Sequence, residues 1–133
     1  MPSETRYISE WINRPAAVVY DYASNPANIA TWAHGLGESV ENVNGAWFVV
    51  TASGRLGVAF AERNPFGVLD HEVTLPTGDV ISVPMRVVPD GDGSEVVLSL
   101  RRQAGVSDED FARDAGIVQS DLTRLKQLLE AAG

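Results

Sequence analysis

His71 stands within the run Leu69-Asp70-His71-Glu72-Val73-Thr74-Leu75, where apolar and polar residues nearly alternate. As a strand, this run puts His71 on the same face as Leu69, Val73 and Leu75. A neutral imidazole on an apolar wall can orient a carbonyl or pass a proton near neutral pH. Its plain alternative is a core histidine satisfied by a nearby hydroxyl or backbone group. The second histidine, His34, lies in the glycine-flanked stretch His34-Gly35-Leu36-Gly37. The two are far apart in sequence and lack a metal-ligand spacing, so no zinc site is expected. Glu10 depends on the facing of its strand. If Ile8 and Ile12 point inward, Glu10 does too, and a buried carboxylate needs a partner and can act as an acid or base. If Tyr7 and Trp11 point inward, Glu10 is ordinary surface. The inward reading is slightly favoured. The run Asp108-Glu109-Asp110 is explained by the positive end of a helix dipole rather than by a metal.

Charge and composition remove whole classes of function. Of 133 residues, 18 are acidic and 10 basic, a net charge of −8 that repels nucleic-acid phosphates and anionic lipid headgroups. No nucleic-acid or membrane partner is expected. There are no cysteines, hence no thiolate nucleophile and no disulfide. The N-terminus lacks a basic-then-apolar leader pattern, and the longest apolar run, Ala46 to Val50, is too short to span a bilayer. The expectation is a cytoplasmic chain with a single domain over 1–133. At this length a real core is available without staples, and 44% hydrophobic residues agree with that.

The elements that must position these side chains follow from periodicity and punctuation. A strand is predicted over residues 5–12, then two short helices meeting at Asn25-Pro26, the second running to about Trp32. Six strands are predicted near 38–43, 46–52, 55–61, 67–75, 79–88 and 94–102, each break being glycine, proline or asparagine turn chemistry. Ser107 is the predicted N-cap of a long final helix whose Phe111, Ala115, Val118, Leu122, Leu125 and Leu129 recur at steps of three and four. That stripe requires an apolar partner, and the sheet is the large one available. The fold class is α+β, with an antiparallel sheet of about seven strands around the C-terminal helix.

The 67–88 hairpin can be registered. A three-residue turn at Thr77-Gly78-Asp79 predicts Leu75 opposite Ile81, Val73 opposite Val83, His71 opposite Met85 and Leu69 opposite Val87. Asp70 then meets Arg86 on the solvated face as a cross-strand ion pair. Val96, Leu98 and Leu100 continue the apolar face on one side; Leu56, Val58 and Phe60 do so on the other.

The order of elements, with Ile12-Asn13-Arg14-Pro15-Ala16 leading into Val18-Val19-Tyr20-Asp21-Tyr22, then Asn25-Pro26 and Trp32, resembles the START-like, birch-pollen-allergen-like superfamily and its helix-grip fold. Gly67-Val68-Leu69-Asp70-His71, Pro84-Met85-Arg86-Val87, Asp121-Leu122 and Leu125-Lys126-Gln127-Leu128-Leu129 fit the polyketide cyclase/dehydrase-like branch. The resemblance implies a cavity between sheet and long helix for a polyketide- or lipid-like molecule, with His34 and Trp32 at its mouth. Its expected walls are Trp32, His34, Trp47, Phe60, Val73, Val83, Met85, Leu98, Phe111, Val118 and Leu122. Large apolar residues such as Trp32, Trp47, Phe60 and Phe111 serve packing by default. At this size the cavity is expected to be modest or filled. His71 and Glu10 would supply acid–base help to a cyclisation or dehydration, with no cofactor. The alternatives are a carrier or sensor without turnover, and an interaction module of the same fold, in either case as a monomer or homodimer.

Overall fold

The computed structural model describes residues 3–132. Strand β1 (Thr5–Ile12) is followed by helix α1 (Ala16–Ala23), a single 3-10 turn (Pro26–Asn28) and helix α2 (Ile29–Trp32). Strands β2 (Ser39–Val43), β3 (Ala46–Thr51), β4 (Gly54–Phe60), β5 (His71–Thr74), β6 (Val80–Val83), β7 (Met85–Asp90) and β8 (Gly93–Arg101) precede helix α3 (Asp108–Ala132). Asn25 caps the 3-10 turn by accepting the Ala27 N–H at 3.1 Å. Ser107 Oγ accepts the Asp110 N–H at 3.1 Å, with Asp108, Glu109 and Asp110 in the first turn of α3.

The strands lie in the orders β1-β8-β7 and β2-β3-β4-β5-β6, every pairing antiparallel. Eight strands replace the expected seven because the 79–88 strand is split between Val83 and Met85. Pro84 at the split has no N–H to give to a ladder. One residue on, the Met85 N–H also leaves the ladder and goes to a side chain: Asp70 Oδ1 accepts it at 2.9 Å. For the same reason β5 is shorter than the expected 67–75. Beyond the interruption only a bridge between Val68 and Arg86 continues the pairing.

The hairpin register is corrected by two residues. His71 pairs with Val83 rather than Met85, and Val73 with Ile81 rather than Val83. Leu75 meets Asp79, donating its N–H to that carbonyl at 2.8 Å. The three-residue loop is therefore Pro76-Thr77-Gly78, with Gly78 at φ +93° in third place. Three-residue hairpin loops end on a left-handed residue, and only glycine takes that conformation without cost. A shift of two preserves the faces, so the apolar assignment survives. Arg86 lies opposite Val68, yet its guanidinium still reaches Asp70 diagonally, Nη2 to Oδ2 at 3.0 Å and Nε to Oδ1 at 3.2 Å.

The inward face of the sheet carries Ile8, Ile12, Val49, Val58, Leu69, Val73, Met85, Val87, Val96 and Leu98, all buried. Leu122, Leu125 and Leu129 of α3 pack on it as the final-helix periodicity requires, together with Val19, Tyr20, Ile29 and Trp32. The C-terminal half of α3 thus fills the grip. Its N-terminal half packs against that core through the half-buried Ala115 and Val118 and buries Phe111 outside the main cluster.

Candidate functional site

Burial of Ile8 and Ile12 turns Glu10 toward the helix, while Tyr7 and Trp11 are 75% and 42% exposed. The Glu10 carboxylate meets α3 directly, accepting from Thr123 Oγ1 at 3.0 Å and Gln119 Nε2 at 3.3 Å. His71 is buried on the inward face with its ring 5.1 Å from that of Phe60, its cross-strand partner on β4. Its Nδ1 is 3.0 Å from the Leu69 carbonyl. Burial is the main influence on the ring and lowers its pKa, opposed by the Leu69 carbonyl and by Asp70. His71 and Glu10 belong to different sheets and each has its own partners. The fold does not bring the two into one acid–base pair.

Of the expected cavity walls, Trp32, Val73, Met85, Leu98, Phe111 and Leu122 are buried. Trp47, Phe60, Val83 and Val118 are half-buried, and His34 is exposed. Trp32 carries one unusual atom: among the described residues its Nε1 is the one buried side-chain nitrogen or oxygen without a protein partner. An unpaired buried donor costs about 1–3 kcal/mol.

Five of these walls, Trp47, Phe60, Val83, Phe111 and Val118, divide among three hollows. An open hollow of about 570 Å³ touches Trp47 and Phe60, but also Phe48, Arg55, Gly57 and Thr74, which alternate to the outer face. It therefore runs around the strands rather than between sheet and helix. A hollow of about 310 Å³ near Pro84 touches His71 and Val83. A hollow of about 260 Å³ lies where the fold leaves α3 incompletely packed. Phe111, Asp114, Ile117, Val118 and Asp121 of α3 face Leu36 of the α2–β2 loop, Ile81 of β6, and Leu100 and the residues that follow it. This is the opening between helix and sheet.

Asp121 was not among the residues expected here. Its side chain is only 11% exposed, and both carboxylate oxygens accept the Gly35 N–H, each at 3.2 Å. Arg124 Nη1 donates to Oδ1 at 3.1 Å and to the Trp32 carbonyl at 2.9 Å. Burial pushes the Asp121 pKa up; the Gly35 amide, Arg124 and His34 pull against it. A signal was available in the sequence. Asp121 falls three residues after Val118 and four before Leu125, so it sits in the apolar stripe, where an acid is out of place.

The antiparallel grip on one long helix, with an apolar opening beside it, defines a START-like, helix-grip protein. The chain belongs to the family described as polyketide cyclase / dehydrase and lipid transport, whose model matches residues 8–130. Among solved structures it is similar to DynU16, a protein of the dynemicin biosynthetic locus, with a TM-score of 0.74 and 15% identity over 98% of this chain. That match covers 49% of DynU16, so this chain spans about half its length. It is likewise similar to Ara h 8.0201, with a TM-score of 0.73, 14% identity, and coverage of 96% of this chain and 98% of the other. A third is CalU16 from Micromonospora echinospora, with a TM-score of 0.66, 14% identity, and coverage of 96% and 74%. At these identities the likeness is one of fold. No curated protein matches the sequence. Among the described residues, no helix is long and apolar enough to cross a membrane.

Proposed function

We propose that this chain binds an apolar small molecule, polyketide- or lipid-like and no larger than two fused rings, at the opening between α3 and the sheet. The observation that carries this reading is the hollow of about 260 Å³ walled by Leu36, Ile81, Leu100, Phe111, Ile117 and Val118 with a buried carboxylate among them. Ligand sites are concave and mainly apolar, with a few fixed polar groups; their usual volumes begin near ~300 Å³, so a small ligand suits this one. The family description, which joins cyclase and dehydrase activity with lipid transport, supplies the ligand class.

Binding without turnover is the better-supported half of the functional expectation. Neither His71 nor Glu10 lines this hollow, and each already has its own hydrogen-bond partners. Native mass spectrometry of the purified chain, followed by extraction of anything retained, tests the reading. A retained apolar compound supports it. An empty chain whose melting temperature is unmoved by a panel of one- and two-ring aromatics and short-chain lipids overturns it in favour of an interaction module.

A further inference from the structure

We propose that Asp121 is the polar anchor of this hollow and that it selects a neutral ligand bearing a hydroxyl, phenolic or enolic, whose O–H the carboxylate accepts. The inference rests on the reading of the hollow as the ligand site and adds the chemical class of the ligand. A carboxylate offers about four acceptor positions. At Asp121, Oδ1 takes Arg124 Nη1 and a share of the Gly35 N–H, whereas Oδ2 takes only the other share, at 3.2 Å. Oδ2 therefore keeps acceptor capacity on a residue that lines the hollow. Its position is fixed in advance, because Arg124 is itself anchored on the Trp32 carbonyl and Gly35 is pressed against the helix.

The surrounding charges decide which donor fits. A carboxylate ligand would meet Asp114 and Asp121 in the wall and a chain of net charge −8, against Arg101 and an Arg102 already paired with Glu4 and Asp108. An ammonium ligand would meet Arg101 and Arg102 in the same wall and Arg124 on the carboxylate itself. A neutral hydroxyl brings no charge to desolvate and forms a charge-assisted bond, the stronger kind.

The test is calorimetric titration of the full chain with 2-naphthol and with its methyl ether, 2-methoxynaphthalene. The parent protein is expected to bind the naphthol at least about tenfold more tightly, as a hydrogen bond to a charged group should give. In Asp121→Asn, which keeps the side-chain shape, that preference is expected to fall below about threefold. Equal binding of both compounds by the parent overturns the anchor and leaves the ligand reading standing. So does a full preference that persists in Asp121→Asn. If neither compound binds, both readings fall. The comparison within the parent protein decides the matter even if the variant folds poorly.

Discussion

The Asp121 carboxylate holds the Gly35 backbone N–H with both oxygens at 3.2 Å, pinning the α2–β2 loop to the long helix. The approach is so close that a Cβ on Gly35 would lie 2.2 Å from Ile117 Cγ2 and 2.9 Å from Asp121 Oδ2. Gly35→Ala must therefore push the loop off the helix or distort both. Overpacking of this kind costs about 1–3 kcal/mol. A urea denaturation midpoint lowered to match is expected; an unchanged midpoint would mean that the loop is not held as described.

His71 makes stability depend on pH. Its folded pKa lies below the ordinary value of 6.5, chiefly through burial. As pH falls below that value, the unfolded chain takes up a proton that the folded chain refuses. The His71 contribution is thus fully present above pH 6.5 and is lost as pH falls through the lowered folded pKa. Between about pH 7.5 and 5.5 the melting temperature should drop, and His71→Phe, with nothing to titrate, should drop less. Equal losses in the two proteins would show that the ring is protonated as easily folded as unfolded.

Asp70 and Arg86 separate a backbone role from an ion pair. Arg86 is half-exposed, and pairs of that kind contribute under ~1 kcal/mol. Asp70 also accepts the Met85 N–H beside the Pro84 interruption. Asp70→Ala is expected to cost about 1–2 kcal/mol and Arg86→Ala less than about 1 kcal/mol. Chemical denaturation of both variants checks the order; the reverse order would remove the backbone role.

What could be read before the fold was known follows from which physical signal was local. Shared faces are legible because side chains alternate strictly along a strand, which groups His71 with Leu69 and Val73 and Glu10 with Ile8 and Ile12; which face of β1 turns inward is left open by alternation alone and is settled by the burial of Ile8 and Ile12. The hairpin register differs by two from the expected one because a turn at Thr77-Gly78-Asp79 lies one residue later than the observed Pro76-Thr77-Gly78. Gly78 must take the third loop position, and that rule was available in the sequence. The expected single 79–88 strand runs through Pro84, whereas a residue without an N–H interrupts a ladder. The hollow was not legible. It depends on how far the N-terminal half of α3 stands from Ile81 and Leu100, a long-range relationship with no local periodicity. Asp121 is masked in the sequence by its apolar neighbours Val118, Leu122 and Leu125, which define the stripe around it.

The free edge of β1 is guarded by α3. Lys126 Nζ donates to the Trp11 carbonyl at 2.8 Å and Gln119 Nε2 to the Ser9 carbonyl at 3.5 Å. Covering edge carbonyls in this way opposes strand-to-strand association. The double variant Gln119→Ala with Lys126→Ala should self-associate more than the parent in sedimentation velocity at matched concentration. Identical sedimentation would mean that the edge needs no such cover.

On the proposed reading, a small apolar ligand enters between the N-terminal half of α3 and the sheet. Amide and methyl chemical shifts of the labelled chain, recorded while 2-naphthol is added, test it most directly. The perturbed resonances are expected to cluster on Leu36, Ile81, Leu100, Phe111, Ile117 and Val118, which line that hollow. Perturbations confined to Trp47, Phe48 and Arg55, around the open hollow on the other strands, would contradict it, as would no saturable perturbation at all.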